Sequence, residues 1–367
     1  MFPLSQSSPQ QYVHVPTSDI SPDSNLFDEK RIIPIKRPWK AFAKVAGLVC
    51  TVILGVVGVF SLGYTSAYHW GFEISSVQTA LNASGSCKEP YYRREWRSLS
   101  KEEKKNYLDA FQCFVDSPSV LGLNGSLYND FSWVHNLVAH STHTKAPFLT
   151  WHRRFIFVYE KYLRESCGYK GAVPFWDWSL DWEDIINSPI FDSELGFGGD
   201  GDPNAPEHES AHCVTDVPLK NLRPQWYGSR YEPHCLARLF NEDWYAHYLN
   251  PEALEGSMSA KNYVDFFLAL EMGQHDIVPL GIRGDFTTFT APNDPIFYLH
   301  HSQLDRVWWL WQMRDKKDRV HDYGGEGDRG NVSLNDVLPL AGLDKDVTVA
   351  EIMDTEGGDM CYRYMYS

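Results

Sequence analysis

Residues Ala291–Gln312 read APNDPIFYLHHSQLDRVWWLWQ. The stretch opens on an Asp-Pro step and closes in a cluster of tryptophans, with two adjacent histidines between. Pro295 pre-sets the backbone angle of a first helical turn, so a helix is expected to follow it. On that helix His301 shares a face with Phe297, Leu304 and Trp308. His300 shares one with Ile296, Leu304 and Val307, so periodicity alone does not choose which ring faces inward. A single uncharged histidine in such surroundings reads as an ordinary core residue. A pair followed by Asp305 and Arg306 points to something more specific, because orienting carboxylates and ion pairs accompany working imidazoles.

The other histidines fall in two groups. WVHNLVAHSTHTKAPFLTWHRRF carries His135, His140, His143 and His152, and LEMGQHDIVPLGIRGDF carries His275 a short way before the pair. Helical bundles build metal sites from side chains on facing helices. Imidazole-rich sites with no thiolate nearby suit copper, zinc, iron or nickel. The competing reading is a set of unrelated core and surface histidines.

The rest of the chain sets the frame. It has 367 residues, 43% of them hydrophobic and 14% aromatic, enough for a large buried core. The net charge of −15 opposes a nucleic-acid partner. Residues 1–40 are rich in Ser, Pro and Gln and read as a disordered tail. Val45–Leu62 is an uncharged apolar run near the length of a membrane-spanning helix. A buried core helix and a cleaved signal peptide are its alternatives, and the long segment before it opposes the latter. Lys36, Arg37, Lys40 and Lys44 precede it, so the tail is expected in the cytosol and the remainder in a lumen or outside the cell. The expected organisation is a tail (1–40), a single membrane helix (41–64), a lumenal linker (65–86) and a folded domain (87–367). Six of the seven cysteines lie beyond the apolar run: Cys87, Cys113, Cys167, Cys213, Cys235 and Cys361. In an oxidising compartment they allow up to three disulfides, with pairing undetermined. Asn82, Asn124 and Asn331 each begin an Asn-x-Ser sequon, on the side where glycosylation occurs.

The folded part reads as mainly α, a helical bundle with long disulfide-braced loops. Ser100 and Glu103 form a capping-box pattern ahead of Tyr107, Ala110, Phe111 and Phe114. A helix over Trp151–Glu165 places His152, Phe155, Ile156, Tyr159 and Leu163 on one face and Arg154, Lys161 and Arg164 away from it. AKNYVDFFLALE (Ala260–Glu271) is helical in pattern, and residues 195–206 form a Gly/Asp/Pro-rich loop.

Three motifs then converge on one family. DPIFYLHHSQLD resembles the second copper signature of tyrosinases, Asp-Pro-x-Phe-aromatic-x-x-His-x-x-x-Asp. The spacing of His135, His143 and His152, ending in FLTWHRRF, resembles their first copper region, and PFWDWS (Pro174–Ser179) is also typical. The resemblance runs from about Cys87 to Met313 and is closest to short fungal tyrosinase-like proteins. It implies two copper ions, each held by three histidines, that bind molecular oxygen between them. It implies an oxidoreductase that hydroxylates or oxidises a phenol or catechol, such as a pigment or natural-product precursor. Carried over by motif, the first copper takes His135, His143 and His152, with His140 a structural neighbour. The second takes His275 and His301, leaving His300 as a residue that packs or hydrogen-bonds.

The departures bear on the second copper. The family has His-x3-His on the preceding helix, and here the position after His275 in that pattern is Pro279. Proline offers no ligand and is expected to end the helix there. His208 and His212 have the missing spacing but lie in a polar loop. The residue after His275 is Asp276 rather than the usual Asn, either a proton acceptor near substrate or a solvated carboxylate. Ser141 stands where fungal enzymes carry a thioether-forming Cys, so that crosslink is not expected. Pro279 also leaves room for two other readings, a copper-poor membrane-anchored binding protein and a single-metal histidine site.

Overall fold

The computed structural model describes residues 87–216, 219–241 and 246–365. The expected tail, membrane helix and linker, with Asn82, lie outside the described residues. Among the described residues no helix is long and apolar enough to cross a membrane.

The core is helical. α1 (Lys101–Asp116), α2 (Leu127–Thr142) and α3 (Pro147–Glu165) pack on one another, and α7 (Ile296–Met313) lies along α3. α4 (Pro251–Met258), α5 (Tyr263–Leu270) and α6 (Asp276–Ile282) complete the bundle. The expected capping box starts α1: the Glu103 N–H donates to Ser100 Oγ, and the Ser100 N–H donates to the Glu103 carboxylate. Pro147 opens α3 four residues earlier than the apolar pattern indicates, which sets His152 in its second turn. At α7 the Ile296 N–H donates to the Asp294 carboxylate, so the Asp-Pro step both caps and starts the helix.

Aromatic side chains fill the space between helices. Tyr159 of α3 stacks on Tyr298 of α7 at 3.7 Å, and Phe155 stacks on Trp151 at 4.6 Å. Burying each such ring contributes roughly 1.5–3 kcal/mol. The expected inward faces hold: Tyr107, Ala110, Phe111, Phe114, Phe155, Ile156, Tyr159 and Leu163 are all buried. Arg154 departs from expectation. It is buried rather than turned outward, because its guanidinium donates to Asp344 of the C-terminal segment that covers this side of α3.

Short strands brace the loops. β1 (Tyr91–Arg93) pairs in parallel with β5 (Tyr362–Tyr364), beside the Cys87–Cys361 disulfide. β2 (Glu207–His208), β3 (Ala211–Cys213) and β4 (Ala237–Arg238) form a three-stranded sheet, closed by Cys213–Cys235. Cys113–Cys167 joins α1 to the end of α3. The six cysteines beyond the apolar run thus form three disulfides. Gly284 seats β4 against the segment leading to α7. Its φ is +56°, and any side chain there would run into the Ala237 carbonyl.

The segment around Pro279 corrects an expectation. The helix does not end at the proline but runs on to Ile282. Glu271–His275 forms one turn of π-helix, with the Asp276 N–H reaching back five residues to the Glu271 carbonyl. That wider turn has already broken the i−4 ladder, so α6 begins afresh at Asp276. Pro279 is the fourth residue of α6, so the one bond it withholds is the first of the new register, to the His275 carbonyl, and the helix beyond it is intact.

Candidate metal centre

Four elements deliver the histidines to one place. α2 carries His135, and His143 caps its C-terminal end. α3 supplies His152, the π turn ends on His275, and α7 supplies His300 and His301. One ring nitrogen from each of His135, His143 and His152 lies within 4.8 Å of the other two, and the same holds for His275, His300 and His301. The two trios face each other. His152 stacks on His301 at 4.2 Å and 10° between planes, and His143 lies 5.8 Å from His275, centroid to centroid. His275 and His301 are therefore brought to the first trio as the motifs imply. His300 joins them, which motif reasoning did not assign.

Hydrogen bonds decide which nitrogens are free. His135 Nδ1 faces the Phe289 carbonyl at 2.7 Å, His152 Nδ1 the Phe148 carbonyl at 2.7 Å, and His143 Nδ1 the Ala139 carbonyl at 3.1 Å. A carbonyl only accepts, so each Nδ1 carries the proton and each Nε2 keeps a lone pair. Yet His135 Nε2 and His152 Nε2 sit 3.1 Å apart. Two lone pairs at that distance repel unless a cation lies between them. The spacing suits two imidazoles that each bind one metal ion at about 2.0–2.1 Å. In the second trio the His275 Nδ1–H donates to Asp276 at 3.0 Å. Among the described residues, His300 Nδ1 and Nε2 and His301 Nδ1 are buried with no hydrogen-bond partner.

Burial drives the electrostatics. It pushes the His135 ring down to about 4 and holds His143, His152, His300 and His301 well below the ordinary histidine range, with neighbouring imidazoles adding to the effect. Neutral rings with free lone pairs are the state that binds metal. No thiolate competes among the described residues, since the six described cysteines are all disulfide-bonded. The donor set fits copper.

The remaining candidates have clear places. Asp276 is exposed, and its carboxylate accepts from His275, which fixes that ring's tautomer. His140 is exposed and meets the edge of Phe289, off the centre, as expected. His208 and His212 lie on the β2–β3 hairpin and are not recruited to the second trio. His208 instead stacks on His234 at 3.8 Å, beside Asp285. His234 faces the Glu232 carbonyl at 2.6 Å and the Asp285 carboxylate at 2.8 Å, so both its nitrogens donate. Burial lowers its pKa, but the hydrogen bond and charge of Asp285, with those of Glu232, together outweigh this and raise it overall. Its ring ties the Glu232 segment to Asp285. Asn124 and Asn331 are exposed.

Several contributors escaped sequence reasoning. Phe148, Phe297 and Phe289 wall the site: Phe148 lies 4.8 Å from His275, Phe297 4.2 Å from His301 and Phe289 5.4 Å from His143. Glu271 is buried, and its carboxylate accepts the N–H of Thr144, the residue after His143, at 2.7 Å. That contact joins the π turn to the end of α2 and holds Thr144 in the left-handed region at φ 56°. The one available signal for Glu271 was its place in the otherwise apolar run FFLALEMGQH, since a carboxylate there needs a partner.

Asp305 and Arg306 position α7. Asp305 accepts from Arg153 at 2.5 Å, from Arg93 at 3.2 Å and from the hydroxyls of Tyr362 and Tyr364. Arg306 pairs with Asp177 of the PFWDWS segment at 3.1 Å.

A helical bundle that gathers buried imidazoles in this way has the donor set of a histidine-ligated metalloprotein. Residues 125–314 match the common central domain of tyrosinase. The chain is 38% identical over 355 residues to the tyrosinase-like protein phomQ2 of Diaporthe leptostromiformis, covering 92% of this chain and 90% of that protein. It is 42% identical over 287 residues to the tyrosinase ustQ of Aspergillus flavus, covering 76% and 80%. Among solved structures, a polyphenol oxidase from Thermothelomyces thermophila superposes with a TM-score of 0.69 at 27% identity, over 80% of this chain and 93% of that one. The chain belongs to the tyrosinase family and is a tyrosinase-like oxidoreductase.

Proposed function

We propose that this protein oxidises a phenol or catechol with molecular oxygen at a dinuclear copper centre. The observation that carries the reading is the pair of opposed imidazole trios, with His152 stacked on His301. His135, His143 and His152 hold the first copper, and His275 and His301 belong to the second. Copper bound there supplies oxygen binding and electron transfer. The chain's own residues do the rest. The carbonyls of Phe289, Phe148 and Ala139 and the Asp276 carboxylate fix the ring tautomers. Phe148, Phe297 and Phe289 keep the space beside the rings apolar, which favours an aromatic substrate over water. Phe289 is 38% exposed, so its ring forms part of the rim that a planar phenol meets.

We further propose that Val45–Leu62 anchors the protein with the copper domain on the lumenal or outer side. The three disulfides support an oxidising compartment.

The test is metal analysis of the purified full chain together with oxygen uptake on a simple catechol. Expected are about two coppers per chain and uptake that His152→Ala abolishes. A chain that takes up no copper would overturn the proposal and leave the copper-poor binding protein. A single copper removed by His152→Ala would leave the one-metal site.

A further inference from the structure

We infer that His300 supplies the third imidazole of the second copper, taking over the role that Pro279 leaves vacant. The inference rests on the dinuclear reading above and adds a ligand that the tyrosinase signature does not provide.

Position 279 offers no donor atom. Proline has no ligating side chain, and α6 runs through it, so no neighbouring residue of that helix is displaced into its place. The second trio would be left with two ligands. His300 stands beside them. Its ring is 5.6 Å from His275, only 26° from parallel, and 5.3 Å from His301. All three rings can bring a nitrogen within 4.8 Å of one another. Successive residues on a helix point about 100° apart. Adjacent rings on α7 can therefore bracket a point beside the helix, as residues four apart do along it. His275 closes the trio from the opposite side.

A packing role explains His300 poorly. The side chain is fully buried, and neither ring nitrogen has a hydrogen-bond partner among the described residues. Buried polar groups are ordinarily satisfied, and an imidazole with both nitrogens unpaired is costly to fold around. The packing contact it makes with Phe286, edge-on at 5.9 Å, would be made as well by a leucine or phenylalanine. His135, His143 and His152 each give Nδ1 to a carbonyl, so the fold satisfies imidazoles where the chain permits. At His300 it offers a nitrogen to the space that His275 and His301 also face.

The experiment loads the full chain with copper and compares the wild type with His300→Ala, His300→Gln and His152→Ala. Copper per chain and the electron paramagnetic resonance of cupric ion are read, with circular dichroism as the check on folding. The inference expects His300→Ala and His300→Gln to lose about half the bound copper and to show the signal of an isolated ion. It expects Pro279→His in the His300→Ala background to restore the second copper, since residues 275 and 279 lie one turn apart. As a measurement that needs no variant, the wild type is labelled with 15N-histidine and loaded with 113Cd. Six metal-coupled imidazoles are expected by nuclear magnetic resonance. Five, or a folded His300→Ala that keeps both coppers, would overturn the inference and leave the dinuclear reading standing. A wild type with one copper, lost in His152→Ala, would overturn both.

Discussion

Asp305→Asn should be among the most damaging single changes outside the histidines, and the structure says by how much. Asp305 is one helical turn from His301, and its partner Arg153 is next to His152. The pair therefore fastens α3 to α7 where the two trios meet. Its carboxylate is 3% exposed and accepts from Arg153, Arg93, Tyr362 and Tyr364. Burial alone would raise its pKa, but the two guanidiniums and the two tyrosine hydroxyls together outweigh this, holding the carboxyl below its ordinary value of 3.8. Arg93 retains Glu160 at 3.0 Å if Asp305 is neutralised. Arg153 retains only neutral acceptors, Gln312 and the carbonyls of Ile352 and Met353. Removing one side of a buried ion pair costs about 3–5 kcal/mol. At roughly 2–4 °C per kcal/mol for a domain near this size, the melting midpoint should fall by roughly 6–20 °C. Tyr362→Phe removes one hydrogen bond from the same carboxylate and should cost only about 1 kcal/mol. Both are read by circular dichroism melts in chelator, so metal binding does not contribute. A carboxyl with a depressed folded pKa stabilises above its unfolded pKa and loses that contribution as pH falls through the folded value. The gap between wild type and Asp305→Asn should thus be level at neutral pH and close below 3.8. A midpoint within about 2 °C of wild type at pH 7 would refute the clamp.

Glu271 should show the opposite dependence. Burial pushes its carboxyl up to about 8 in the metal-free protein, so the folded state keeps a proton that the unfolded chain releases near 4.5. Metal-free wild type should lose stability relative to Glu271→Gln as pH rises from 4.5 to about 8, with no further change above; a pH-independent difference in melting midpoint would contradict the burial argument. For the anchor, glycosidase treatment should lower the apparent mass through Asn124 and Asn331, both exposed, and alkaline carbonate should leave the chain in the membrane pellet. A soluble, unglycosylated product would refute that topology.

What the sequence disclosed follows from the range of the interactions involved. The start of α1, the inward face of α3 and the Asp-Pro entry to α7 depend on residues within a few positions of each other, and all were readable. Arg154 was misplaced because its partner, Asp344, is 190 residues away. His234 was overlooked because its role depends on Asp285 and on the stacking of His208, neither of which is near in sequence. The disulfide pairing was undetermined for the same reason: Cys87 and Cys361 are 274 residues apart and meet only when β1 and β5 pair.

Pro279 misleads a purely local reading in another way. Treated as a local breaker, it ends a helix and removes a ligand, and the second site is then short by one. The π turn changes both consequences. It ends one hydrogen-bond register at His275 and starts another at Asp276, so the proline withholds only the first bond of a new register and the helix runs on to Ile282. It also leaves Glu271 beside the end of α2, where Thr144 fixes it, and His275 opposite α7, where His300 and His301 meet it. Periodicity on α7 gave no reason to prefer one of those histidines, and the structure makes the tie meaningful. Both rings are buried, and both present nitrogens without protein partners. A helix with two adjacent inward-facing histidines can lose a ligand on the facing helix and still present three imidazoles to one point.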